Sequence, residues 1–114
     1  MTNAERLQME ITGINLTTAE IEVYLSENCL SATDTYDANN KQNTIAIYET
    51  ALAVLESIAN NPEYMKTRKF DDMTIDKFAE NLQNRIDQLE RKIRKMKSDI
   101  VSDSRSNFFM LFRE

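Results

Sequence analysis

Turn-forming residues are almost absent from this chain of 114 residues, which contains one glycine and one proline. Average proteins use about 7% glycine and about 5% proline, and folds built from many short strands need frequent turn signals. A chain with so few turn residues is expected to form helices joined by short polar connections. Its length suits one domain of modest size. The sequence therefore predicts an all-α fold: a small bundle of about four helices.

The first helix is predicted near residues 3–12. Its apolar residues recur at spacings of three and four, which places them on one helical face; they are Ala4, Leu7, Ile11 and Ile14. Gly13 follows this stretch and can adopt the left-handed conformation that ends many helices.

The clearest helix start in the sequence lies at Thr17. Thr17 and Glu20 have the spacing of a capping box, and Leu16 and Ile21 occupy the two positions of a hydrophobic staple. The apolar face of this second helix is expected to include Ile21, Tyr24 or Leu25, and Leu30, with Cys29 as a small buried residue.

A broad apolar seam predicts a central core helix from about Asp37 onward. The polar stretch before it contains several residues that could cap the helix, and the sequence does not indicate which of them does. The seam consists of Ile45, Tyr48, Leu52, Leu55 and Ala59, flanked by Ala51 and Ile58. Asn60-Asn61-Pro62 is expected to end this helix, because a residue before proline is pushed out of helical geometry. Glu63 to Met65 are read as a brief turn, and residues 66–72 as a connector.

A long final helix is predicted to begin at Thr74, with Asp76 in its first turn and Met73 and Phe78 as a second staple. Its heptad-like stripe consists of Ile75, Phe78, Leu82, Ile86, Leu89, Ile93 and Met96. A basic cluster is expected to close the helix at residue 97, where cations suit the helix dipole. The predicted organisation is a helical domain over 1–97, then a loose polar linker and an apolar tail over 98–114.

Charge is distributed unevenly along the chain, whose net charge is −5. Residues 1–65 contain ten acidic and two basic side chains, whereas residues 66–97 contain ten basic and six acidic ones. Opposite patches of this kind steer protein chains together and fix their register. They are also compatible with simple solvated faces.

Catalytic chemistry finds little support in the sequence, and no enzymatic activity is expected. The chain has no histidine, so the commonest general base and metal ligand is missing. Cys29 has no base to activate it, and the single glycine rules out a glycine-rich phosphate loop. Asp71, Asp72 and Asp76 lack the spacing of a calcium loop and are better explained by helix capping. No cofactor and no metal site are predicted.

Location in the cell is predicted from what the chain lacks. No secretory signal is evident, and the longest apolar run, residues 108–112, is far shorter than the ~20 residues of a membrane-spanning helix. The protein is therefore expected to be made in the cytoplasm, without a membrane partner.

Two stretches are candidates for contacts with other protein chains. One is the apolar tail, Phe108, Phe109, Met110, Leu111 and Phe112, which must pack on its own domain or on another chain. The other is the basic cluster Arg91, Lys92, Arg94 and Lys95. Acidic neighbours and the absence of interleaved aromatic residues make a nucleic-acid site in this cluster less favoured than a solvated helix end.

The order of these elements resembles the small helical head-to-tail connector proteins of tailed bacteriophages, also called neck adaptor or head-completion proteins. The resemblance covers about residues 17–97 and rests on Leu16 to Glu20 with Tyr24-Leu25, Tyr36-Asp37, Ala51 to Pro62, and Phe78 to Leu82 through Ile86 and Leu89. Family members often carry a longer extended segment before the last helix. Residues 66–72 are short, so the tail is the better candidate for a gripping element.

This resemblance implies a structural virion protein of the neck region, made in the host cytoplasm. It would form a homo-oligomeric ring beneath the portal and join the capsid to the tail. Its partners would be the portal protein and tail or second connector proteins, with DNA passing through the lumen without sequence-specific binding. The alternative is a cytosolic helical adaptor or regulatory module that dimerises through its last helix.

Overall fold

The computed structural model describes the backbone of residues 1–61 and 74–112, and side chains as far as residue 101 except that of Ile75. Four helices make up most of these ranges: α1 (Asn3–Glu10), α2 (Thr18–Glu27), α3 (Lys41–Ala59) and α4 (Ile75–Phe112). One isolated antiparallel bridge joins Thr2 to Thr35. The predicted all-α fold with a long last helix is confirmed.

Helix α1 begins with a capping box that the sequence analysis did not identify. The Thr2 hydroxyl accepts a hydrogen bond from the Glu5 backbone N–H at 3.2 Å, and the Glu5 carboxylate accepts one from the Thr2 N–H at 3.0 Å. These two bonds satisfy donors that a helix start leaves unpaired. The helix ends at Glu10, with Ile11 as its cap, rather than near residue 12 as predicted. Gly13 lies beyond this end and has the predicted left-handed conformation, with a φ of 88°.

Helix α2 starts as predicted, with both hydrogen bonds of the box between Thr17 and Glu20 present. Its end is different from the prediction. Cys29 has a φ of 63° and is exposed, so its assignment as a buried filler is wrong. The Cys29 N–H donates to the Ser26 carbonyl and the Leu30 N–H donates to the Leu25 carbonyl. This is the Schellman arrangement, in which the left-handed position points its side chain to solvent.

Helix α3 starts at Lys41 rather than near Asp37, because the Asn40 side chain caps it by accepting from the N–H groups of Gln42 and Asn43. The predicted seam is rotated relative to the true core face. Ile47 and Val54 are fully buried, although the prediction omitted them, and Tyr48, Leu52 and Ala59 are only partly buried. The helix ends at Ala59 with Asn60 as its cap, as predicted. Pro62, the predicted turn at 63–65, the connector at 66–72 and Met73 lie outside the described residues.

Helices α1 and α4 both pack against α3, in opposite directions. Asn43 contacts Asn3, and the Tyr48 ring lies 5.8 Å from the Arg6 guanidinium, so residue numbers rise together along α1 and α3. Helix α4 passes the end of α1 first, where Arg85 donates to the Thr12 carbonyl at 3.1 Å. It reaches Tyr48 only at Lys92. Helix α4 is therefore antiparallel to α3, and its C-terminal end lies beyond the first turn of α3.

The predicted stripe on α4 forms its contact with the rest of the core. Its buried members are Phe78, Leu82, Ile86, Leu89 and Ile93, and Met96 is half-buried. Thr74 caps the helix, since its hydroxyl accepts from the Lys77 N–H at 3.2 Å.

Helix α4 does not end at residue 97, and the predicted loose linker is wrong. Residues 98–107 continue the helix, which runs to Phe112. This stretch contains no glycine or proline to break a helix, and Ile100 continues the stripe four residues after Met96. Polarity alone is a poor predictor of a loop when no helix-breaking residue accompanies it.

Candidate interaction surfaces

The basic cluster lies on the outer side of α4 as an exposed band. Arg91, Lys92, Arg94 and Lys95 are all exposed, as predicted for a contact surface or a solvated face. The Lys92 ammonium lies 5.5 Å from the centre of the Tyr48 ring, within range of a cation–π interaction. One turn later, Lys97 forms an ion pair with Glu49 at 3.4 Å. An ion pair this exposed contributes no more than about 1 kcal/mol.

A cation and two aromatic rings join α1 to α3. The Arg6 guanidinium lies 5.4 Å from the Tyr36 ring and 5.8 Å from the Tyr48 ring, and it pairs with Glu10 at 3.0 Å. Burial by itself would lower the pKa of Arg6, but the hydrogen bonds and charges of Glu10 and Tyr36 outweigh it and raise the pKa. The Tyr36 hydroxyl lies 2.8 Å from that of Thr44. All of these groups have partners within the fold, so the cluster is structural.

Arg85 is a half-buried anchor between α4 and α1, and the sequence analysis did not identify this role. Its guanidinium donates to two carbonyls at the end of α1: that of Glu10, the last residue of the helix, and that of Thr12, two residues further along the chain. Burial lowers the pKa of Arg85, and the charge of Glu10 partly opposes this shift. A helix end leaves its last carbonyls without partners, so a cation there is favourable. Arg85 thereby fixes α4 against the end of α1.

Asn3 organises the end of the bundle from which α4 emerges. Its side chain is only 3% exposed, and its amide donates to the Ser31 carbonyl at 2.9 Å. Its amide oxygen accepts from the Asn43 side chain at 3.2 Å. The Asn43 oxygen in turn accepts from the Asp37 N–H at 2.9 Å. These bonds hold the connection between α2 and α3 in a defined conformation, although its polar sequence resembles a simple loop.

A shallow groove lies between α2 and α3, near the C-terminal end of α3. It has a volume of about 420 Å³ and is lined by Ala19, Glu20, Val23, Tyr24, Glu27 and Ser57. Val23 is 56% exposed at this groove. Two carboxylates flank it. The only sequence signal for this groove was that Val23 falls outside the predicted core face of α2.

The apolar tail, Phe108 to Phe112, forms the last part of α4. Its side chains lie outside the described residues, so the predicted contact role of the tail stays a prediction. The backbone of the tail is described, and it shows the position of the tail relative to the rest of α4. The tail extends the axis of α4 and does not form a separate strand or turn folded back on the bundle.

Among the described side chains of residues 1–61 and 74–101, no three carboxylate or cysteine groups are placed to hold a metal ion together. Asp76 is exposed there, whereas Asp71 and Asp72 lie outside these ranges. The same ranges contain no helix with both the length and the apolar character needed to cross a bilayer.

Comparisons with known proteins gave no match: no family model, no curated protein and no solved structure is similar to this chain. The resemblance to bacteriophage connectors therefore stays an expectation from the sequence. What the protein does has to be argued from its own geometry.

Proposed function

We propose that this protein is a non-enzymatic structural protein that joins other protein chains through the C-terminal part of α4. The observation that carries the proposal is the length of this helix relative to the bundle beneath it. Lys97 pairs with Glu49 in the middle portion of α3. From this ion pair toward the end of the bundle where α4 emerges, α3 continues only over residues 48 down to 41, about 12 Å of helix. In the same direction α4 continues over residues 98–112, about 22 Å.

The bundle covers the start of this extension only in part. Met96 and Ile100 are half-buried on the stripe, and Val101 is 49% exposed. The molecule measures 63 × 29 × 19 Å, and a 38-residue helix accounts for about 57 Å of the longest dimension. An apolar stripe that outruns its own bundle is suited to contact with another chain.

The specific role proposed is that of a head-to-tail connector in a bacteriophage virion, assembled as a ring beneath the portal. It rests on the sequence resemblance and is supported by the unequal distribution of charge. Residues 1–61 contain nine acidic and two basic side chains, whereas the exposed basic band lies on α4. Copies that meet through surfaces of opposite charge are held in one register. In such a ring, acidic groups facing the channel would repel passing DNA.

A helical adaptor that dimerises through α4 is the second candidate. It is favoured by the continuation of the stripe through Ile93, Met96 and Ile100, which is the pattern of a coiled-coil seam. Two such extensions packed side by side would form a closed dimer with twofold symmetry.

The two roles differ in stoichiometry, which light scattering coupled to size-exclusion chromatography measures directly. The connector role predicts an assembly much larger than a dimer of 13.3 kDa chains, visible as rings by negative-stain electron microscopy. The adaptor role predicts a dimer. A chain that remains monomeric at high concentration, alone and with a candidate portal protein, contradicts both.

A further inference from the structure

The α2–α3 groove and the C-terminal segment of α4 have complementary chemistry. The groove is lined by the exposed Val23 and by two acidic residues, Glu27 and Glu20, of which Glu20 also caps the start of α2. In the sequence, the apolar run 108–112 stands between two arginines, Arg105 and Arg113. Glu114 directly follows Arg113, whereas Arg105 has no acid next to it in the sequence. Both arginines can pair with the acidic residues that line the groove, and the apolar run between them can contact Val23.

The size of the groove suits a helix that inserts one or two side chains. Its volume of about 420 Å³ falls within the range of about 300–1,000 Å³ that is typical of binding pockets. Helix-in-groove recognition places apolar anchors from successive turns of a helix into such a depression, and the surrounding charges fix its orientation. Helix α4 is already helical up to Phe112, so little conformational entropy is lost when its end is bound.

The groove and the segment lie at opposite ends of the molecule. Ser57 lines the groove near the C-terminal end of α3, whereas α4 leaves the bundle past Lys41 at the other end. These two positions on α3 are about 24 Å apart along its axis, and the extension of α4 adds to that separation. A chain would have to break α4 to reach its own groove.

We propose that residues 105–113, which comprise the last part of α4 and the Arg113 that follows it in the sequence, dock into the α2–α3 groove of a second copy of this chain. This inference rests on the proposed structural function and names the acceptor surface for it. Because donor and acceptor surfaces differ and lie at opposite ends, the contact is head-to-tail. Head-to-tail contacts generate a ring where the rotation closes and a filament where it does not. A head-to-tail contact of this kind does not produce a dimer with twofold symmetry.

The test uses two full-length variants that each disable one surface. Val23→Asp places a charge in the groove beside two carboxylates, at a position exposed enough to tolerate it. A second chain carrying Phe108→Asp and Phe112→Asp disables the segment. In sedimentation velocity, each variant alone should lose self-association, with the apparent Kd rising about thirty-fold or more, as for loss of a central anchor. Mixed together, they should form a 1:1 dimer that grows no further.

Charge reversal provides the second arm of the test. Glu27→Lys should weaken assembly, and Arg113→Glu or Arg105→Glu in the same chain should restore it. Two matched controls leave the groove intact: Met9→Asp, on an apolar residue of α1 that is 58% exposed, and Glu22→Lys, on an exposed acid of α2 outside the groove. Both controls should assemble like the wild type.

Each contrary outcome has a distinct meaning. Assembly that is abolished by the tail variant but unaffected by Val23→Asp overturns the groove as acceptor and leaves the proposed function standing. The groove is equally overturned if Val23→Asp lowers thermal stability without affecting assembly, because Val23 would then be covered by its own chain. A wild-type chain that stays monomeric overturns both proposals together.

Discussion

The two halves of α4 have different surroundings. From Phe78 to Ile93 its inward residues are no more than 7% exposed, whereas Met96 and Ile100 are half-buried and Val101 is 49% exposed. The same periodic pattern thus first completes a core and then runs past it. A continuous apolar stripe in a sequence shows where a helix can be buried, and the length of its neighbours decides how much of it is buried.

The difference in burial between the two halves of α4 can be tested by removing side-chain volume from each half. Leu82→Ala should lower the free energy of unfolding by about 2–5 kcal/mol, because Leu82 is 1% exposed and its loss leaves a cavity. Val101→Ala should change it by no more than about 0.5 kcal/mol. Urea denaturation followed by circular dichroism measures both. Comparable losses at the two positions would mean that the extension is part of the core.

The base of the extension can be tested through Asn3. Asn3→Ala should lower the free energy of unfolding by about 1–3 kcal/mol, since it leaves the Ser31 carbonyl and the Asn43 amide without their partner in a buried setting. The effect should spread to the connection between α2 and α3, where backbone amides should exchange faster with deuterium. Thr33→Ala, at an exposed position in the same connection, serves as the control and should have little effect.

Helix capping offers a finer comparison between α4 and the short helices. Thr17→Ala should lower the free energy of unfolding by about 1 kcal/mol, because it removes the capping bond to the Glu20 N–H. Thr74→Ala removes an equivalent bond to the Lys77 N–H at the start of α4. Equal losses by denaturation would show that both helix starts unfold together with the core. A negligible loss for Thr74 alone would indicate that the first turn of α4 frays independently.

The smallest expected effect is a stabilisation at the end of α2. Cys29→Gly should raise the free energy of unfolding by up to about 1 kcal/mol, because Cys29 has a φ of 63° and glycine adopts this conformation without steric strain. Cys29→Ala is the control that removes the thiol but retains the strain. A gain with alanine equal to that with glycine would assign the effect to the thiol and not to the backbone.

Local signals in the sequence predicted the helices well where the chemistry is short-range. Four features depend on residues within a few positions of one another: the capping box at Thr17, the left-handed conformation of Gly13, the end of α3 before Pro62 and the stripe of α4. Such features are set by the backbone and its nearest side chains. They do not require knowledge of the tertiary packing.

Features that depend on distant contacts were missed. The core face of α3 is rotated toward Ile47 and Val54 because three helices pack around it. The anchoring role of Arg85 depends on the end of α1, which is more than 70 residues earlier in the sequence. The groove at Val23 exists only because α2 and α3 lie side by side. Both proposed interaction surfaces therefore needed the structure to locate them relative to one another.

The length of α4 beyond the bundle gives the extension the mechanical character of a lever arm. Residues 98–112 span about 22 Å, so a bend of about 5° near Lys97 moves Phe112 by about 2 Å. The angle between successive copies would follow the direction of this arm. Substitutions that kink it, such as glycine or proline near Asp99, are then expected to alter the number of copies in an assembly more than the strength of each contact.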